Sequence, residues 1–303
     1  MEFVLEVREI YKSFKKVQAV SGLSFSVKRG EVFGLLGPNG AGKTTTLEIC
    51  EGLQKPDKGE VKVLGASPEE RKNREKTGIQ LQSTALYERL KVKEILYLYQ
   101  GYYANGTEPE KLMEQVSLTE KKNALVKTLS GGQKQRLAMA LAMINEPELI
   151  FLDEPTTGLD PQARRNIWEI ILGMKSAGKT IVLTTHYMEE AEVLCDRVAI
   201  MDNGKIKALG APSELLSHLP VKAYVGFPKG TDPDWISGLP EVKEIVQFEE
   251  KHIAGTNNLN STLKALIEKD SLQSLPFTLD ELSIRKASLE DVFIHITGKS
   301  LRD

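Results

Sequence analysis

Cysteine is almost missing from this 303-residue chain. Cys50 and Cys195 are the two present, each beside apolar residues, so no disulfide framework is expected and a reducing compartment suits the protein. Long apolar runs are missing too: Leu137–Ile144 is the longest, far short of the roughly 18–20 residues that cross a bilayer. No direct membrane insertion is therefore expected. The opening Met1-Glu2-Phe3-Val4-Leu5-Glu6-Val7 has no basic segment ahead of an apolar core, which reads as the absence of a signal peptide. Nor does one sign of charge dominate. Forty basic against 42 acidic side chains leave −2, which argues against nucleic acid as a partner. The remaining composition, 41% hydrophobic and 27% charged, is that of a cytoplasmic protein able to bury a core. At roughly 150 residues per domain, the length suits two.

Apolar spacing predicts strands at Phe3–Val7 and Leu23–Val27, and a fully buried strand at Val32–Leu36. A helix is expected from about Lys43 to Leu53, stopped by Gly52 and Pro56. From about 85 to 145 the chain reads as mostly helical, like an inserted subdomain. A buried strand is expected at Glu148–Leu152 and further strands at Thr180–Thr184 and Arg197–Met201, with helices at Ala163–Ser176 and from Met188. Strands alternating with helices predict an α/β fold with a largely parallel sheet. After Leu219-Pro220 the pattern changes, placing a domain boundary near 217/218. Strands are expected at Tyr224–Phe227, Ile245–Phe248 and Phe277–Arg285, and helices at Leu263–Lys269 and Leu289–Ile296.

Chemistry enters with Gly37-Pro38-Asn39-Gly40-Ala41-Gly42-Lys43-Thr44, a complete GxxxxGK[ST] between a strand and a helix. Glycines let backbone N–H groups turn in around phosphate oxygens, and the following helix end adds positive potential. Lys43 can reach the β- and γ-phosphates, Thr44 can ligate Mg²⁺, and Thr45 is counted with the loop. A second motif, Leu149-Ile150-Phe151-Leu152-Asp153-Glu154, ends an apolar strand in two carboxylates. Adjacent acids leaving a buried strand need a cation or hydrogen-bonded partner. Asp153 is expected on Mg²⁺, and Glu154 on the attacking water as general base. The NKxD and DxxG motifs of a GTPase are absent.

Leu129-Ser130-Gly131-Gly132-Gln133 chooses among phosphate-loop proteins. Here the chain resembles the ATP-binding-cassette (ABC) ATPases, whose signature is LSGGQ. The resemblance implies a P-loop α/β cassette over 1–217, with its helical subdomain at about 85–145, and a small α+β accessory domain over 218–303. It implies ATP and Mg²⁺ as cofactors and a head-to-tail homodimer. In that dimer Ser130, Gly131, Gly132 and Gln133 close on nucleotide bound to the other copy. It further implies that Gln82, or Gln80, is the Q-loop ligand of Mg²⁺, that Asp160 is the residue crossing the dimer, and that His186 contacts the γ-phosphate. Phe14, or Tyr11, stacks on adenine. His218, His252 and His295 match no ligand spacing and read as structural.

Five of eight tyrosines, Tyr87, Tyr97, Tyr99, Tyr102 and Tyr103, follow the Q-loop closely. By resemblance this surface receives membrane subunits, with Tyr87, Leu90 and Val92 bordering the docking groove; core packing is the other reading. The ending Ser288-Leu289-Glu290-Asp291-Val292-Phe293 resembles cassette subunits paired with ABC-2-type permeases. That similarity implies export of a drug, antibiotic or lipid through a separate integral membrane permease. The chain would then be peripheral on the cytoplasmic face, the alternatives being an importer ATPase, which is the nearest, and a soluble non-transport ABC ATPase.

Overall fold

A computed structural model describes residues 3–83, 85–248, 251–271 and 275–298. The chain divides into two compact units that change over between Pro212 and Ser213.

In the first unit, β1 (Phe3–Phe14), β2 (Val17–Lys28) and β4 (Lys58–Val63) form an antiparallel sheet in the order β2-β1-β4. The second sheet has the order β5-β6-β7-β3-β8-β9. Its members are β3 (Val32–Leu36), β5 (Thr77–Gln80), β6 (Leu149–Asp153), β7 (Thr180–Thr185), β8 (Arg197–Asp202) and β9 (Lys205–Gly210). All its pairings are parallel except β8–β9. β3, β6 and β7 are buried at every position, as the apolar runs of β3 and β6 predict for strands covered on both faces. The inward faces of β1, β2 and β4 share one core with Phe33, Leu35, Phe151 and Val182 of the parallel sheet and Leu47 of α1 (Lys43–Cys50).

The expected helix from Lys43 ends at Cys50 rather than Leu53. Gly52 takes φ +74°, and the Leu53 N–H turns back to the Glu48 carbonyl at 2.9 Å, the reversal that closes a helix end. A short α2 (Arg71–Arg74) precedes β5. The connection from β5 to its parallel neighbour β6 then carries α3 (Val92–Gln100), α4 (Pro109–Gln115) and α5 (Gly131–Ala142), which are the mostly helical stretch. α6 (Pro161–Ser176) and α7 (Met188–Leu194) follow; α8 (Pro212–Ser217) opens the second unit, which begins ahead of the boundary expected near 217/218.

The second unit is α+β: β11 (Val242–Phe248), β12 (Lys251–Thr256), β10 (Ala223–Phe227) and β13 (Ser283–Lys286) pair antiparallel in that order. α9 (Pro233–Ser237), α10 (Leu259–Ser271) and α11 (Leu289–Thr297) complete it. Phe227, Trp235 and Phe277 meet edge-to-face around its core. The expected strand Phe277–Arg285 is instead a 3₁₀ turn, Leu279–Glu281, followed by β13. Thr278 and Glu281 bond reciprocally across that turn and hold it in place of an extended chain.

Candidate active site

The carboxyl ends of β3, β5, β6 and β7 lie side by side, where ligands gather in open α/β sheets. From β3 the chain runs through Gly37 into α1. Packing leaves little choice of residue: a Cβ on Gly37 would lie 2.3 Å from the Met201 carbonyl oxygen, and one on Gly42 2.3 Å from that of Ala19. Gly42 also holds φ +95°, where side chains are strained. Asn39 and Gly40 form the exposed tip, while Ala41 is buried and donates its N–H to the Pro38 carbonyl. No side chain caps α1, so the first-turn N–H groups of Lys43, Thr44 and Thr45 are left for an anion.

Lys43 is buried. Its ammonium donates to the Gly37 and Pro38 carbonyls at 2.9 and 3.1 Å and lies 3.4 Å from Glu154 Oε1. Burial lowers its pKa below that of an ordinary lysine, opposed by the Glu154 charge. Asp153 ends β6 opposite Thr184 of β7. Its Oδ1 accepts from the Thr184 hydroxyl and, at 3.3 Å, from Thr44. Burial pushes the Asp153 carboxyl upward in spite of these bonds.

Glu154 sits at the centre. It leaves the strand at φ +46°, a region that costs a side-chain-bearing residue about 1–3 kcal/mol, and its N–H is held by Thr184 Oγ1 at 2.9 Å. Besides Lys43, its Oε1 lies 3.3 Å from His186 Nδ1. Its Oε2 accepts from Gln82 Nε2 at 3.3 Å and Thr157 Oγ1 at 3.0 Å. Burial would raise its pKa, but Lys43, Thr157 and His186 together outweigh that and hold it below the usual glutamate value. The carboxylate is therefore ionised at neutral pH.

The two glutamines separate cleanly. Gln82 reaches Glu154, whereas Gln80 is buried and donates to the Leu81 carbonyl. The aromatics separate as well: Tyr11 packs its hydroxyl against Gly22, while Phe14 at the end of β1 is 43% exposed, with the Lys12 ammonium 5.7 Å from its ring centre. Ser130 caps α5, bonding reciprocally with Gln133, and Gly131 and Gly132 follow in its first turn. Among the described residues, neither Ser130 nor Gln133 bonds the 37–45 loop. Asp160 is exposed and caps α6 through the Ala163 N–H at 2.9 Å. Tyr87, Tyr97 and Tyr102 are exposed, so core packing does not explain these three, whereas Tyr99 and Tyr103 are half-buried. Val92 is fully buried and cannot border a groove.

Thr157 and Thr184, which hold the two carboxylates, carry no motif of their own; the second is placed only by the β6–β7 register. Among the described residues no group of three His, Cys, Asp or Glu could hold a metal alone. Thr44, Asp153 and Gln82 nonetheless offer the few oxygen donors that Mg²⁺ uses beside phosphates and water.

Glu51, just past α1, is buried with one carboxylate oxygen unpartnered. Burial, then the like charges of Asp153 and Glu48, push it up to about 8. A raised carboxyl binds its proton more tightly in the folded chain, so its penalty grows from the unfolded value near 4.3 to about 8, at about 1.4 kcal/mol per pH unit. Glu51→Gln should therefore raise the melting temperature, by more at pH 8 than at pH 5.5. Equal shifts at both pH values in thermal melts would contradict the buried charge.

A phosphate loop after β3, a histidine beyond the adjacent parallel strand β7, paired carboxylates at the end of β6 one strand further on, and LSGGQ on a separate helix together define a P-loop ATPase of the cassette class. Residues 20–157 match the ABC transporter family. The chain is 38% identical over 312 residues to the Nod factor export ATP-binding protein I of Ralstonia nicotianae, covering 99% of this chain and 95% of that one. It is 35% identical over 313 residues to the linearmycin resistance ATP-binding protein LnrL of Bacillus subtilis, covering 99% and 100%. A solved dimeric ATP-binding cassette in a post-hydrolysis state with ADP and Pi is similar at a TM-score of 0.63 and 26% identity, covering 68% of this chain and 98% of that one. The chain belongs to the ABC transporter ATP-binding proteins and is an ATPase.

Proposed function

We propose that this chain powers export through a separate ABC-2-type membrane permease, as one half of a head-to-tail homodimer that closes on ATP. The observation that carries the reading is the division of the site. Lys43, Gln82 and His186 all converge on Glu154, while Ser130 and Gln133 at the start of α5 bond each other and, among the described residues, none of these. A second copy would bring Ser130, Gly131, Gly132 and Gln133 to the nucleotide held by the first, with Asp160 crossing between copies. The export relatives, which align over almost the whole chain, support the direction of transport.

In this reading Phe14 stacks on adenine, and the loop 37–45 wraps the phosphates with its N–H groups. Lys43 leaves Glu154 for the β- and γ-phosphates. Thr44, Asp153 and Gln82 would hold Mg²⁺, which would neutralise charge building on the phosphate oxygens. Glu154, freed of Lys43, accepts a proton from the attacking water, and His186 orients the γ-phosphate. ATP closes the dimer through contacts that hydrolysis removes, so the two faces work as a population shift. Residues 218–303 act as an accessory domain.

Among the described residues no helix is long and apolar enough to cross a membrane, so membrane association is assigned to docking on the permease from the cytoplasmic side. Tyr87, 56% exposed beyond the Q-loop, is assigned to that interface. Tyr87→Ala should leave the ATPase of the isolated chain unchanged while co-purification with the permease and vesicle transport fall about 10-fold or more, as for an aromatic hot spot. Intact assembly in that variant would remove Tyr87 from the interface. Failure of the native chain to co-purify with any integral membrane protein would overturn the transport reading.

A further inference from the structure

Glu190, the third residue of α7, is fully buried yet hydrogen bonds none of Lys43, Glu154 or His186. Its Oε1 accepts from Thr156 Oγ1 at 2.9 Å and from Trp168 Nε1 at 3.0 Å. Burying a carboxyl is costly, and an apolar side chain would fill the space more cheaply. The segments it joins suggest why it is there. Thr156 lies two residues past Glu154 and precedes Thr157, whose hydroxyl donates to Glu154. Trp168 lies on α6, the helix capped by Asp160. Glu190 itself follows His186 by four positions. Between them, the Tyr187 ring lies 4.1 Å from the His186 ring and 4.3 Å from the Arg164 guanidinium of α6. Arg164 and Trp168 are one helical turn apart, so a single face of α6 grips α7 at both Tyr187 and Glu190.

We propose that Glu190 is a positioning residue that sets the separation of Glu154 and His186 by tying the Glu154 segment and α6 to the helix that follows His186. The inference rests on the roles given to Glu154 and His186 above. Displacing a reacting group by about 1 Å can cost about 10²-fold in rate.

The test is steady-state ATP hydrolysis by the full chain. Glu190→Ala should lower kcat by about 10²-fold, with the ATP KM little changed because Lys43 and the phosphate loop are untouched. Glu190→Gln keeps an acceptor for both donors and should recover most of the rate. The deciding readout is coupling to His186. If Glu190 acts through that residue, the double variant with His186→Ala is no slower than His186→Ala alone; multiplied losses would overturn the proposal, as would a Gln variant as slow as Ala. Full turnover in His186→Ala overturns the role of His186 and the proposal with it. Full turnover in Glu190→Ala beside a slow His186→Ala overturns the positioning alone. Should Glu190→Ala not fold, Trp168→Phe keeps the ring and removes one donor. A loss of about 3–10-fold is then expected, and a native rate in folded Trp168→Phe refutes the idea.

Discussion

Glu154→Gln is expected to bind ATP about as well as the native chain and to hydrolyse it roughly 10²–10⁴-fold more slowly, the usual contribution of a general base. The substitution suits the site. Lys43 attracts the amide oxygen to the Oε1 position, which turns the NH₂ group toward Thr157 and Gln82. The Thr157 hydroxyl can rotate to accept, and Gln82 can present its own oxygen. The fold therefore survives while the base is lost. ATP-bound dimers should accumulate, visible by size-exclusion chromatography with ATP and Mg²⁺. Native turnover in this variant would strip Glu154 of its role.

Lys43→Ala should act on binding instead. A hydrogen bond to a charged group is worth about 1.5–3 kcal/mol, so ATP affinity should fall by about 10- to 100-fold. The same change removes the main cation that holds Glu154 below its usual pKa. Glu154 then titrates at higher pH. Since the base must be ionised, the acid limb of the residual kcat/KM profile against pH, which reports the free enzyme, should move upward. Titration with a fluorescent ATP analogue checks the affinity; unchanged binding would place the phosphates away from Lys43.

The two variants differ because Lys43 and Glu154 pair with each other. Each buried charge compensates the other until phosphate supplies a better partner for the lysine. One substitution leaves a well-formed binding site without its base. The other damages the cradle itself.

Much of this architecture was legible from residue spacing. The apolar runs of β3 and β6 announce strands buried on both faces, and GxxxxGK[ST] between strand and helix allows few other meanings. β4 and β12 were not legible: Lys58–Val63 and Lys251–Thr256 mix lysine and glycine with few apolar residues, and only pairing with β1 and β10 makes them strands. The exposure of the tyrosines after the Q-loop was equally hidden, because an aromatic on a short helix serves a core or a surface equally well.

The amino-acid order by itself determined the class of chemistry, since phosphate loops and paired carboxylates depend on neighbours a few residues apart. Tertiary structure alone decided which groups meet. Gln82 rather than Gln80 reaches Glu154, Phe14 rather than Tyr11 stays exposed, Thr184 holds Asp153, and Glu190 joins Thr156 to Trp168. The reason is physical: strand register and helix packing bring together residues some 10 to 100 positions apart, and those contacts follow the summed burial of whole elements rather than any local pattern.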